Sequence, residues 1–169
     1  MAAAEHGDGR RVGAALDFSR CSKAALRWAA ENALRAGDHL IVVHVQKEAR
    51  SDLGESLLWQ DTGSPYIPLS ELSEAGTAKK YGVKVDAETL DILNTISKDK
   101  EVQVIMKIYW GDAREKICEA INNIPLSYLI IGNRGFSKIK RILLGSVSEY
   151  VVSNATCPVT VIKSFDQEG

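Results

Sequence analysis

The densest run of chemistry-bearing residues lies between positions 132 and 148. Three glycines and a serine recur there as Gly132-x2-Gly135-x9-Gly145-Ser146. Glycine lets a backbone turn tightly and approach a ligand with no Cβ in the way. Successive N–H groups in such a turn form a nest that binds anions. A helix opening at Ser146 adds unpaired N–H donors, the positive end of a dipole and a hydroxyl group. Arg134, Lys138, Lys140 and Arg141 are basic, and no acid falls between Gly132 and Ser148. This pattern suits a phosphate. Each part also has a purely structural reading. The glycines could simply turn the chain after a strand, Ser146 with Glu149 forms a capping box, and the basic run could be a solvated face. The residues alone leave both readings open.

Other chemistries lack their residues. The chain has no G-x-x-x-x-G-K-[ST] phosphate loop, no G-x-G-x-x-G after its first strand and no G-x-S-x-G elbow. His6, His39 and His44 have no metal-ligand spacing, and His44 inside an apolar strand reads as a satisfied core histidine. Cys21, Cys118 and Cys157 are widely separated and odd in number, so they read as small hydrophobes in a reducing compartment. Asp17 and Asp112 fall near strand ends, where they could hold Mg²⁺ for a slow phosphoryl-transfer reaction.

The elements that must position these residues are five short apolar runs, at 12–16, 40–45, 102–108, 126–131 and 159–162. The second and fourth are nearly continuous, as in strands buried on both faces of a parallel sheet; the last alternates like an edge strand. Helical patterns separate them. One follows Ser22 as N-cap and stops at Gly37; one covers 85–98; one follows Asp112, with Glu115 three residues on, and ends at Pro125; the last runs from Ser146 to before Pro158. Strands alternating with helices predict an α/β, Rossmann-like, doubly wound, five-stranded parallel sheet with helices on both faces. Residues 1–9 read as a disordered lead-in, 10–164 as one domain, 47–80 as a long loop insertion with a helical turn around 70–80, and 165–169 as a tail. In such sheets ligands sit outside the carboxyl ends of the strands, where strand order reverses.

The whole pattern resembles the universal stress protein family, whose nucleotide-binding members carry G-x2-G-x9-G-[ST] after the fourth strand. GAALDFSRCSKAALRWA, LIVVHV, IIGNRGFSKIKRILLGSVSEYVV and CPVTVIK carry the resemblance, which spans almost the full chain and is greatest to single-domain plant members. It implies a fold like that of the adenine nucleotide alpha hydrolases, with ATP or AMP at the switch point and Mg²⁺ able to accompany ATP. It also implies a homodimer pairing the last strand through Val159 and Val161. By position, Ala15 and Asp17 would meet the ribose or adenine and Val45 would pack on the adenine. Ile131, Gly132, Arg134 and Gly135 would line the ribose and phosphates, and Gly145, Ser146, Val147 and Ser148 would cradle the phosphates. Two positions depart from the family pattern: Ala15 stands where nucleotide binders can carry Pro, and Asn133 where Ser is usual. The functions implied are a nucleotide-dependent signalling or protective module, a slow ATPase, or an interaction protein with an empty pocket.

The 169 residues carry 21 Lys and Arg against 22 Asp and Glu, a formal charge of −1. That balance argues against coating nucleic acid or an anionic membrane, since excess positive charge supplies most of that affinity. No apolar run approaches the roughly 18 residues of a membrane span, and the expected location is cytoplasmic, with the nucleus an alternative.

Overall fold

The computed structural model describes residues 9–47, 58–134 and 146–164. The expected lead-in except Gly9, residues 48–57 of the expected loop insertion, the expected tail, Gly135, Gly145 and the basic stretch 138–141 lie outside them. The elements in chain order are β1 (Arg11–Ala15), α1 (Arg20–Asn32), β2 (His39–Gln46), β3 (Ile67–Pro68), α2 (Leu69–Leu72) and α3 (Ala75–Tyr81). They continue with α4 (Ala87–Lys100), β4 (Gln103–Trp110), α5 (Ala113–Asn123), β5 (Tyr128–Arg134), α6 (Ser146–Asn154) and β6 (Val159–Ser164).

The sheet order is β3-β4-β2-β1-β5-β6, and every pairing is parallel except β3 with β4. The chain winds outward from β1 through β2 to β4, then returns to the other side of β1 with β5. Strand order therefore reverses between β1 and β5.

The expectation of five strands is corrected to six. The added strand, β3, is only two residues long and pairs Ile67 with Met106 and Pro68 with Ile105. Proline has no N–H for a ladder, so Pro68 is tolerated only at the sheet edge. Ile67 is fully buried and anchors the segment. The helical turn expected around 70–80 is present as the two short helices α2 and α3.

Strand alternation divides the core between the two faces of the sheet. On one face Val12, Ala14, Val42, Val104, Met106 and Ile130 pack with Ala25, Leu26 and Ala29 of α1 and Ile92, Leu93 and Ile96 of α4. On the other, Ala15, Ile41, Val43, Leu129 and Ile131 pack with Ile117, Ala120 and Ile121 of α5 and Val151 of α6. The nearly continuous apolar runs thus go with helices on both faces.

The cap of α5 falls where the sequence places it: Asp112 accepts from the N–H groups of Arg114 at 2.9 Å and Glu115 at 3.4 Å. The cap of α1 is Ser19 rather than Ser22, and its hydroxyl accepts from the Ser22 N–H at 3.2 Å. Lys23 ties α1 to α4 through Asp86 at 2.6 Å and Glu88 at 3.0 Å. Among the described residues, no helix is long and apolar enough to cross a membrane.

Candidate functional site

A cleft of about 380 Å³ opens at the carboxyl edge of the sheet, at the β1–β5 reversal. Its size falls within the range of small-molecule sites. Its first wall is the β1–α1 turn. Past Ala15 the strand ladder continues for one bond, from the Leu16 N–H to the Val43 carbonyl at 2.9 Å. Phe18 then adopts φ 65°, a left-handed conformation that costs a non-glycine residue energy, and α1 starts at once behind it. The Phe18 ring rests on His44, 4.7 Å between centroids. His44 is itself held by the Leu16 carbonyl at 2.7 Å and the Gln46 side chain at 3.0 Å. It is therefore the satisfied core histidine that the sequence suggests.

This turn leaves Asp17 at the cleft. Its carboxylate accepts from the Ser19 N–H at 3.0 Å and from the Ser19 hydroxyl. Burial pushes the Asp17 carboxyl up, but the hydroxyl and amide of Ser19 outweigh it and hold the pKa below the ordinary carboxylate value. The Ser22 hydroxyl donates to the Ser19 carbonyl at 3.0 Å and accepts from the Asp17 N–H at 3.3 Å. An ionised acid is therefore fixed at the carboxyl end of β1.

The second wall is β5 with the first turn of α6. A Cβ built on Gly132 would lie 2.4 Å from the Cys21 carbonyl oxygen and 2.8 Å from its carbon. The missing side chain thus lets α1 close onto β5. Asn133, one residue on, points to the opposite face. It is buried and accepts a hydrogen bond from the equally buried Ser148 hydroxyl at 2.9 Å. That bond ties the first turn of α6 to β5. It also commits the Ser148 hydroxyl proton to Asn133.

Eight of the expected residues line this one cleft: Ala15, Asp17, Val45, Ile131, Gly132, Ser146, Val147 and Ser148. Arg134 ends β5, and Gly135 and Gly145 lie outside the described residues. Leu16, Ser19, Cys21, Ser22, Val43, Ala113, Ile117 and Asn133 also line the cleft and were not expected. For Ser19 and Ser22 the signal was present: two hydroxyls three apart, directly after a strand-end acid. Ala113 and Ile117 sit on one face of α5, four residues apart, where only their helical stripe was legible.

The apolar floor is Ala15, Val43, Val45, Ile117 and Ile131, and the rim is polar with Asp17, Ser19, Ser22 and Ser146. Such a site can take a flat heteroaromatic ring on the floor and hydroxyl or anionic groups on the rim. Asp112, by contrast, is absent from the lining. Its carboxylate caps α5 and pairs with Arg114 at 3.1 Å. Among the described residues, no three His, Cys, Asp or Glu side chains gather as a metal site.

Residues 9–163 match the universal stress protein family. The chain belongs to that family. It is 33% identical over 167 residues to the universal stress protein PHOS32 of Arabidopsis thaliana, covering 93% of this chain and 66% of PHOS32. It thus spans just under two thirds of that relative's length. Among solved structures, a universal stress protein family protein from Arabidopsis thaliana with AMP bound aligns with a TM-score of 0.57 at 21% identity, covering 91% of each chain. A universal stress protein in complex with cAMP aligns with a TM-score of 0.55 at 18% identity, covering 90% of this chain and 95% of that one. At these identities the likeness is one of fold.

Proposed function

We propose that the cleft binds an adenine nucleotide, ATP or AMP, and that the protein acts as a dimeric, nucleotide-dependent stress-response module. The observation that carries this reading is the meeting, at the strand-order reversal, of an apolar floor, an ionised Asp17 and the first turn of α6 in one cleft. The adenine rests on Val45 and Ile131, and Asp17 accepts from the ribose hydroxyls. The first turn of α6, at Ser146, Val147 and Ser148, faces the phosphates, where a helix N-terminus favours an anion. Gly132 shapes the wall, while Arg134, Gly135 and Gly145 complete the phosphate loop by their place in the motif. The AMP- and cAMP-bound neighbours of the same fold support the choice of an adenine nucleotide.

Dimerisation through β6, with Val159 and Val161, rests on its place at the sheet edge among the described residues. The occupation of Asp112 by its cap and by Arg114 favours a binding module over a metal-assisted ATPase. Four or five charge-assisted hydrogen bonds at roughly 1.5–3 kcal/mol each, offset by association entropy, lead to a micromolar dissociation constant, about −8 kcal/mol.

Thermal unfolding with ATP, ADP and AMP at millimolar concentration tests the reading. Saturation at about 100 times the dissociation constant adds roughly 2.7 kcal/mol of stability. No shift with any of the three would remove the proposal.

A further inference from the structure

Two of the three cysteines, distant in sequence, are brought to one place on the α5–α6 face, away from the nucleotide cleft. Cys118 lies in α5 and Cys157 in the turn between α6 and β6. Both pack against the same buried cluster, which includes Ile117 and Ile121 of α5, Val151 of α6 and Leu129 of β5, and both remain partly exposed. Their neighbours are already joined. Asn122 lies one helical turn beyond Cys118, on the same side of α5, and its side chain accepts from the Thr156 hydroxyl at 2.6 Å. Thr156 directly precedes Cys157, so this bond holds the Cys157 turn against the Cys118 face. The electrostatics agree: burial pushes both thiols up, and Cys118 pushes Cys157 up further. Cys21 stands apart, lining the cleft with its sulfur 3.2 Å from the Ser19 hydroxyl.

We propose that Cys118 and Cys157 form a reversible intramolecular disulfide, an oxidation site that staples α5 to the start of β6. With a hydroperoxide as oxidant, one thiolate attacks the peroxide oxygen, giving a sulfenic acid and, from hydrogen peroxide, water. The second thiol attacks the sulfenic sulfur, the S–S bond forms and a second water leaves. Two thiols lose two electrons and two protons, and the peroxide is reduced. Added dithiol reductant reverses the bond by exchange. The staple joins two functional places. Ile117, beside Cys118, lines the cleft, and Pro158, beside Cys157, accepts the Leu129 N–H at 3.0 Å where β6 meets β5. Because the thiolate is the nucleophile and both thiols are raised, closure accelerates as pH rises toward and beyond the ordinary thiol range.

The test treats the purified, reduced full chain with hydrogen peroxide. Intact mass, thiol titration and non-reducing peptide mapping follow. The expected result is a monomeric chain lighter by two hydrogens, two of its three thiols lost, and one linked peptide pair containing Cys118 and Cys157. Cys118→Ser and Cys157→Ser, shown to be folded by circular dichroism, each lose the link, and Cys21→Ser keeps it. Oxygen additions at separate cysteines, links between chains, or a link that includes Cys21 would overturn the proposal. None of these readouts involves nucleotide, so the outcome is independent of the binding proposal.

Discussion

The two walls of the cleft are built in opposite ways. The β1–α1 wall is a polar turn in which Asp17, Ser19 and Ser22 satisfy one another through side-chain hydrogen bonds, the two to the Asp17 carboxylate lying at the surface. The β5–α6 wall is held by close backbone packing at Gly132 and by one buried polar pair, Asn133 with Ser148. An exposed network can be re-solvated when a member is lost; a tight backbone contact or a buried bond cannot. The second wall therefore carries the stability of the site, and the first carries its charge.

The largest effect should come from Gly132→Ala. The added Cβ meets backbone of α1, which cannot step aside as a side-chain tip can, and overpacking of this kind costs about 3 kcal/mol. Gly13→Ala is the control. Its Cβ would meet the tips of Leu126 and Leu129, which can rotate away, so its cost should be nearer 1 kcal/mol. Urea midpoints at unchanged slope measure both, and equal losses would erase the distinction between backbone and side-chain contact.

Ser148→Ala comes next. It removes a donor from a buried bond and should lower stability by about 1–2 kcal/mol. It should also weaken nucleotide binding by loosening the α6 first turn. Full stability in this variant would mean that the buried pair does not hold the wall.

Asp17→Asn should have the smallest effect on stability, and that effect should depend on pH. The folded carboxyl titrates below its ordinary value, so its stabilisation is present above the unfolded pKa and is lost as pH falls through the folded one. The gap between wild type and variant should therefore be present at neutral pH and close under acid. Solvent screening of this exposed group keeps it below about 1 kcal/mol. A gap that widened in acid would contradict the sign.

Much of this could be read from residue order. VGAAL, LIVVHV and the later apolar runs mark β1, β2, β4, β5 and β6 to within a few residues, because burial on both faces of a parallel sheet demands such runs. Asp112 is legible as a cap because one acid precedes one clear helical stripe. Ser19 was missed as the cap of α1 because Ser19 and Ser22 are both competent hydroxyls three residues apart, and only the turn geometry at Phe18 assigns them. β3 left no signal: a two-residue strand containing Pro68 has no period to detect, and its stability comes from burying Ile67 against distant β4. Gly132 was recognised as a place of close approach, but a missing Cβ does not say what fills its space. Helix α1 does, through a contact more than a hundred positions away in sequence. The same limit hid that Cys118 and Cys157 border one core cluster.

The central claim is that an adenine nucleotide occupies the cleft between these two walls. Amide NMR spectra recorded during titration with AMP test it most directly. The account predicts saturable shifts clustered at Ala15, Asp17, Val45, Ile131, Ser146 and Val147, with residues of β3 and α3 unmoved. Shifts that saturate elsewhere, or none at millimolar AMP, would contradict it.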